Sequence, residues 1–320
     1  MSRFVAIRSG VTLLTLSLFA ACGDGGSEVE GATASLGCTD GTLDATVEQI
    51  ELEHDGQTRS YELHVPPSYD GATPLPLVFN FHGFTSSGPA QRASTGMDDT
   101  ADDNGFIVAY PNGLSNSWNG GVCCGVSGLE DVDDVDFTRA MLDDLGVRGC
   151  IDLSRVYATG MSNGGFMSHR LACEASDIIA AVGPVAGVLG IPPGDCNPER
   201  PVPVIHFHGT ADNIILYEGG GLVESASVVD TVELWADLND CTDEPTVTFD
   251  EGDVTCETAS ECADGATVTL CTIADGGHCW PGSPCGSVGP VDLGMATTDI
   301  LANDAMWALF ETVTLEQPAE

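Results

Sequence analysis

An α/β fold is predicted, with a mostly parallel central sheet and helices on both of its faces. Short apolar, β-branched runs recur along the 320 residues, amphipathic segments separate them, and Gly160-Met161-Ser162-Asn163-Gly164 stands where a strand passes directly into a helix. Buried strands alternating with helical segments imply a parallel sheet, because each crossover must return over a face of the sheet and cover it.

The elements follow in order. Strands are expected over 45–53 and 59–66, close enough in sequence to form an antiparallel hairpin, and then over 75–82, 106–110, 155–160, 179–185, 202–208 and 266–273. Helical patterns fall over 91–103, 132–146, 163–174, 223–238 and 297–313. A chain of 320 residues exceeds the usual ~100 to 200 per domain, yet single α/β domains often run to about 250. No repeat and no linker interrupts the alternation, so residues 41–320 are expected to form one domain.

Arg155-Val156-Tyr157-Ala158-Thr159 reads as a strand and Phe166-Met167-Ser168-His169-Arg170-Leu171 as a helix, which makes Ser162 the tip of a nucleophile elbow. Gly-x-Ser-x-Gly arises by chance in a chain with 39 glycines, so the other members of the machinery decide the matter. A serine nucleophile needs a base, and the base an orienting carboxylate, expected in the order Ser, Asp, His on later strand ends. Val204-Ile205-His206-Phe207-His208-Gly209-Thr210-Ala211-Asp212 delivers Asp212 to a loop, and Val268-Thr269-Leu270-Cys271-Thr272-Ile273 leads to Gly277-His278-Cys279-Trp280-Pro281-Gly282. Asp212 is the expected orienting acid and His278 the expected general base. The rivals His54, His64, His82, His206 and His208 read as hydrogen-bonded or surface histidines. The oxyanion is expected to meet the N–H of Asn163 and a second N–H from the loop after Leu75–Phe81, at Phe84 or Thr85, with Phe84 the candidate carried forward.

His82-Gly83-Phe84, Ser117-Trp118-Asn119 with Cys123-Cys124-Gly125, Asp133-Asp134-Val135-Asp136-Phe137, the elbow segment, His208-Gly209-Thr210-Ala211-Asp212 and Gly277-His278-Cys279-Trp280-Pro281-Gly282 together resemble the polyhydroxybutyrate depolymerase and feruloyl esterase family of secreted α/β-hydrolases. The resemblance runs from about Val47 to Leu309. It implies the α/β-hydrolase fold, a Ser162–Asp212–His278 triad and no cofactor or metal. Cys279 departs from the family pattern, which more often has a small polar residue between the histidine and the tryptophan; a disulfide there would stiffen the histidine loop.

Arg3 and Arg8 followed by the apolar run 11–21 read as an export signal, expected over 1–21. Phe19-Ala20-Ala21-Cys22 resembles a bacterial lipobox, so Cys22 is the expected lipid anchor, with an ordinary signal cleaved after Ala21 as the competing reading. The Gly-rich residues that follow give an expected flexible tether over 22–40. Of the 13 cysteines, those other than Cys22 are an even set in an exported chain and are expected to form disulfides, with vicinal Cys123 and Cys124 reaching different partners. The spacing of cysteine and histidine does not suit zinc, nor that of the aspartates an EF-hand. With 49 acidic residues against nine basic ones, all arginine, the formal net charge of −40 disfavours nucleic acid and anionic membrane as partners and points to a saline habitat.

The expected protein is thus an exported serine esterase, extracellular or held at a bacterial cell envelope, acting on feruloyl or related esters of plant polysaccharides. A polyhydroxybutyrate or hydroxybutyrate-oligomer depolymerase is the alternative. It is disfavoured because the chain ends at Glu320 without room for a polymer-adhesion module. A serine peptidase and a noncatalytic binding lipoprotein are the readings from other classes. Trp118, Trp280 and Tyr217 are expected to line the substrate site as an aromatic wall, or else simply to pack the loops.

Overall fold

The computed structural model describes residues 34–315. Its first strands, β1 (Val47–His54) and β2 (Gln57–His64), are joined by Asp55 and Gly56. Both turn residues have positive φ, 49° and 72°, the conformation whose twist suits a two-residue hairpin. Beyond them lie β3 (Leu75–Phe81), β4 (Ile107–Asn112), β5 (Ile151–Met161), β6 (Ala181–Val185), β7 (Val204–Gly209), β8 (Thr246–Glu251), β9 (Val254–Ala259) and β10 (Val268–Ile273). The sheet order is β1-β2-β4-β3-β5-β6-β7-β10-β9-β8. Strands β4, β3, β5, β6, β7 and β10 run parallel, flanked by the β1–β2 hairpin on one side and the β8–β9 hairpin on the other.

The helices begin with the short α1 (Gly37–Asp40), and a second short one, α4 (Gly125–Leu129), follows β4. The parallel strands alternate between two apolar layers. Leu77, Phe79 and Phe81 of β3 and Val156 and Ala158 of β5 face α5 (Asp134–Arg148), α6 (Asn163–Glu174) and α7 (Val228–Leu238), through Phe137, Met141, Leu171 and Trp235. Val78, Tyr157 and Phe207 face the opposite way, against Met97 and Ala101 of α3 (Met97–Asn104) and Met306, Trp307 and Phe310 of α8 (Ala302–Phe310). The period-two alternation of the strands thus divides the core, and helices cover both faces as expected.

Three expectations are adjusted. The helix expected over 91–103 is two, α2 (Gly88–Thr95) and α3, because Gly96 between them is left-handed at φ 60°. The β8–β9 hairpin was not foreseen. Val247 of β8 is exposed and Phe249 only half-buried, so this edge carries little of the hydrophobic periodicity by which a strand announces itself. Cys123 and Cys124 bridge each other rather than separate partners, because the remaining ten described cysteines pair as Cys38–Cys150, Cys173–Cys196, Cys241–Cys262, Cys256–Cys271 and Cys279–Cys285.

Residues at the end of the expected tether are held to the body. The Ser35 hydroxyl donates to Gly149 O at 2.6 Å and accepts from Ile151 N at 2.9 Å, and Cys38 is bridged to Cys150. The export signal and Cys22 lie outside the described residues.

Candidate active site

Ser162, Asp212 and His278 follow the carboxyl ends of β5, β7 and β10, on one edge of the parallel sheet, where open α/β sheets hold their reactive groups. Ser162 has φ 56° and ψ −117°, a backbone conformation that L-residues rarely adopt. The turn is that tight because β5 runs into α6 with no intervening loop, and the Ser162 N–H is held by Val185 O of β6 at 2.8 Å. Glycine is required on either side. A Cβ on Gly160 would stand 2.6 Å from the Phe81 carbonyl oxygen and from Gly164, and one on Gly164 would overlap that same Phe81 oxygen.

Asp212 and His278 are joined. His278 Nδ1–H donates to Asp212 Oδ2 at 2.7 Å, while Asp212 Oδ1 accepts the backbone N–H groups of Ile214 and Ile215 at 2.8 and 2.9 Å. Burial by itself would raise the Asp212 carboxyl, but the hydrogen bonds from His208 and His278 outweigh it and hold the group well below the usual carboxylate range. The aspartate is therefore a permanent anion that fixes His278 with Nε2 free to act as base. Among the described residues the Ser162 hydroxyl has no hydrogen-bond partner.

The expected oxyanion donors stand at the elbow. Asn163 opens α6, where an N–H lacks an intrahelical acceptor. Its side chain is occupied elsewhere, accepting from Trp118 N at 2.7 Å and donating to Trp118 O and Cys123 O. On the other side, a Cβ at Gly83 would stand 3.5 Å from Ser162 Cβ, so the β3 loop approaches the elbow closely. The Thr85 N–H is taken by Asn116 O at 2.8 Å, which leaves Phe84 as the candidate second donor.

For the two tryptophans the burial fits the loop-packing reading rather than the aromatic wall. Trp118 is fully buried, its indole N–H donating to His82 O at 2.9 Å and its ring edge-on to Phe81. Trp280 is 5% exposed and donates to Asn303 Oδ1. The Tyr217 hydroxyl meets Thr272 Oγ1 at 2.8 Å, and its ring stands edge-on to His208. Bonded and packed in this way, the two tryptophans offer no open ring face to a substrate. Phe84, which follows Gly83 in the loop that approaches the elbow, is 46% exposed with its ring over Gly125, and the sequence marked it only for its N–H.

The other motif residues form the support. Asp134 accepts from Asn119 N and from Arg59, each at 2.8 Å, and Arg170 reaches Asn119 O, so the Ser117-Trp118-Asn119 loop is pinned to α5 and α6. His82 donates from Nδ1 to Gly83 O and accepts from Gly113 N at Nε2, and burial pushes it down to about 4, so it stays neutral. Cys279–Cys285 closes a short loop directly beside His278.

Sheet order, crossover helices and an elbow at the end of β5 define an α/β-hydrolase, a class to which solved structures also point. An acetyl xylan esterase from Aspergillus awamori superposes with a TM-score of 0.52 at 15% identity, over 73% of this chain and 94% of that one, a likeness of fold. In sequence, feruloyl esterase B of Piromyces equi is 34% identical over 227 residues, 67% of this chain, and the chain spans 41% of that protein's length. The "Putative esterase NocK" of Nocardia uniformis subsp. tsuyamanensis is 30% identical over 290 residues, 80% of this chain and 81% of NocK. No protein-family model matches the chain. The chain belongs to the esterase family of α/β-hydrolases that includes feruloyl esterase B and NocK.

Proposed function

We propose that this chain is a serine carboxylic-ester hydrolase working through an acyl-enzyme, with feruloyl or related esters of plant polysaccharides as its substrates. The observation that carries the reading is the 2.7 Å bond from His278 Nδ1 to the ionised Asp212, one strand removed from the β6 edge on which the strained Ser162 elbow rests. His278 Nε2 takes the proton of Ser162 as its oxygen attacks the ester carbonyl, and Asp212 stabilises the imidazolium that forms. The N–H groups of Asn163 and Phe84 receive the oxyanion; collapse expels the alcohol, protonated by His278, and water deacylates by the reverse roles.

The name of feruloyl esterase B supports a phenolic acyl group, and the exposed Phe84 ring, on the loop that approaches the elbow, offers it a partner worth about 0.5 to 1.5 kcal/mol beyond area burial. The six disulfides suit an oxidising compartment outside the cytosol. Export through a signal over 1–21, with lipid attached at Cys22, completes the reading. Turnover of methyl ferulate, emulsified polyhydroxybutyrate and a matched amide tests it. Methyl ferulate should show the highest kcat/KM, and Ser162→Ala should remove nearly all of it. A better polymer substrate would replace the feruloyl assignment with the depolymerase one, and an active Ser162→Ala would overturn the mechanism.

A further inference from the structure

Behind the Asp212–His278 pair runs a chain of buried rings that the mechanism above does not use. Trp235 Nε1–H on α7 donates to His169 Nδ1 at 2.9 Å, His169 Nε2 meets His206 Nδ1 at 3.2 Å, and His206 Nε2 meets His208 Nδ1 at 3.2 Å. His208 Nε2 then reaches Ile215 O at 2.8 Å and stands 3.4 Å from Asp212 Oδ2. The histidines are 1% exposed or less, and successive rings stack with interplanar angles of 28° and 4°.

The ends of the chain decide its protons. Indole N–H can only donate and a carbonyl can only accept, so His169 Nδ1 is bare and its proton sits on Nε2; the same assignment passes to His206 and to His208. All three rings then carry Nε2–H and point the same way, toward the acidic side of the triad. Burial keeps His169 and His206 from taking a second proton, pushing His169 down to about 3 and His206 well below its ordinary value. Asp212 and Tyr217 also face His208, and Asp212 in turn carries the bond to His278.

We propose that His208 is a positioning residue for the Asp212–His278 pair, and that His206, His169 and Trp235 set its tautomer. His208 grips the turn from Asp212 to Ile215 by its carbonyl while the N–H groups of Ile214 and Ile215 hold Oδ1, so the carboxylate is clamped from both sides. Its N–H also faces the oxygen that orients His278. Without that donor, charge concentrates on Asp212, His278 holds its proton more tightly, and the base must be uncovered at higher pH. This inference rests on the esterase reading above for its kinetic consequence only; the tautomer pattern belongs to the resting protein.

The test uses the full-length protein with p-nitrophenyl butyrate. His208→Leu should lower kcat about tenfold or more with KM within about twofold, as residues behind a reacting group do. Its acid limb of kcat/KM should move upward by about half a pH unit or more. His208→Gln, whose amide nitrogen reaches the Nε2 position, should recover most of both, and Trp235→Phe should move the acid limb in the same direction by less. Spectra of protein labelled with 15N in histidine should show His169 and His206 protonated at Nε2 alone from pH 5 to 8 and a proton on Nε2 of His208, with Trp235→Phe changing that pattern at His169. A ring protonated at Nδ1, or a soluble His208→Leu with unchanged kcat and pH profile, overturns the proposal. Should His208→Leu fail to fold, the spectra and Trp235→Phe decide. An active Ser162→Ala together with the expected tautomers would instead reject the esterase mechanism and leave the chain of rings standing.

Discussion

Replacing Arg59 by methionine isolates the ion pair that holds the loop beneath the elbow. Arg59 Nη2 donates to Asp134 Oδ1 at 2.8 Å with both side chains at 2% exposure or less, and the guanidinium lies 3.8 Å from the Phe137 ring centroid. Arg59→Met keeps the apolar stem against Phe137 and strands the aspartate, whose other oxygen still accepts from Asn119 N. Removing one partner of a buried pair costs about 3 to 5 kcal/mol, since the charge left behind has neither water nor counter-ion. At about 2 to 4 °C per kcal/mol for a domain of this size, Tm should fall by about 6 to 20 °C at pH 7. The loss should depend on pH. Burial already raises Asp134, with Asn119 and Arg59 pulling it back, so removing Arg59 raises it further. A carboxyl raised by folding contributes stability below its unfolded pKa and loses that contribution as pH rises through the folded value. The deficit of Arg59→Met should therefore shrink toward acid pH and be largest near neutrality. Adding Asp134→Asn removes the stranded charge, keeps an oxygen for Asn119 N, and should recover most of the loss. Calorimetry from pH 4 to 8 measures all three proteins; a deficit under about 1 kcal/mol at pH 7, or one flat with pH, would refute the reasoning.

Gly164→Ala should lower Tm sharply or abolish folding, because its Cβ meets the Phe81 carbonyl, whereas Gly194→Ala, with nothing within 4 Å, should be neutral; equal effects would contradict the elbow packing. Cys38→Ser with Cys150→Ser opens a bridge spanning 112 residues and should cost about 4 kcal/mol in urea unfolding, while the same change at Cys279 and Cys285, separated by 6, should cost less stability and more kcat. With 49 acidic and nine basic residues, Tm should climb from low to molar NaCl, and a flat dependence would remove the saline argument.

The fold class and the three triad candidates were legible because their signals are local. A strand breaking into Gly209 and Asp212, a second ending before His278, and glycines around Ser162 each announce themselves within a dozen residues. The β8–β9 edge was not legible, because the outermost strand, β8, owes its place to pairing with β9, itself paired with β10, rather than to burial. The alternation of His206 and His208 put both on one face of β7, but nothing near them in sequence told that His169 and Trp235 would meet them there.

The residues alone determined which strands end in the candidate Ser162, Asp212 and His278, and that the cysteines other than Cys22 would pair, since backbone geometry and thiol chemistry act over short stretches. Tertiary structure decided what each neighbouring side chain became. Trp118 and Trp280 turned inward to reach His82 O and Asn303, leaving Phe84 as the exposed ring, because the balance between burying an indole and presenting it depends on acceptors brought from other elements. Cys123 is bridged to Cys124 while the other ten described cysteines pair among themselves. Hydrogen bonding and packing between residues far apart in the chain depend on where the sheet and helices finally place them, and only the assembled layers supply that placement.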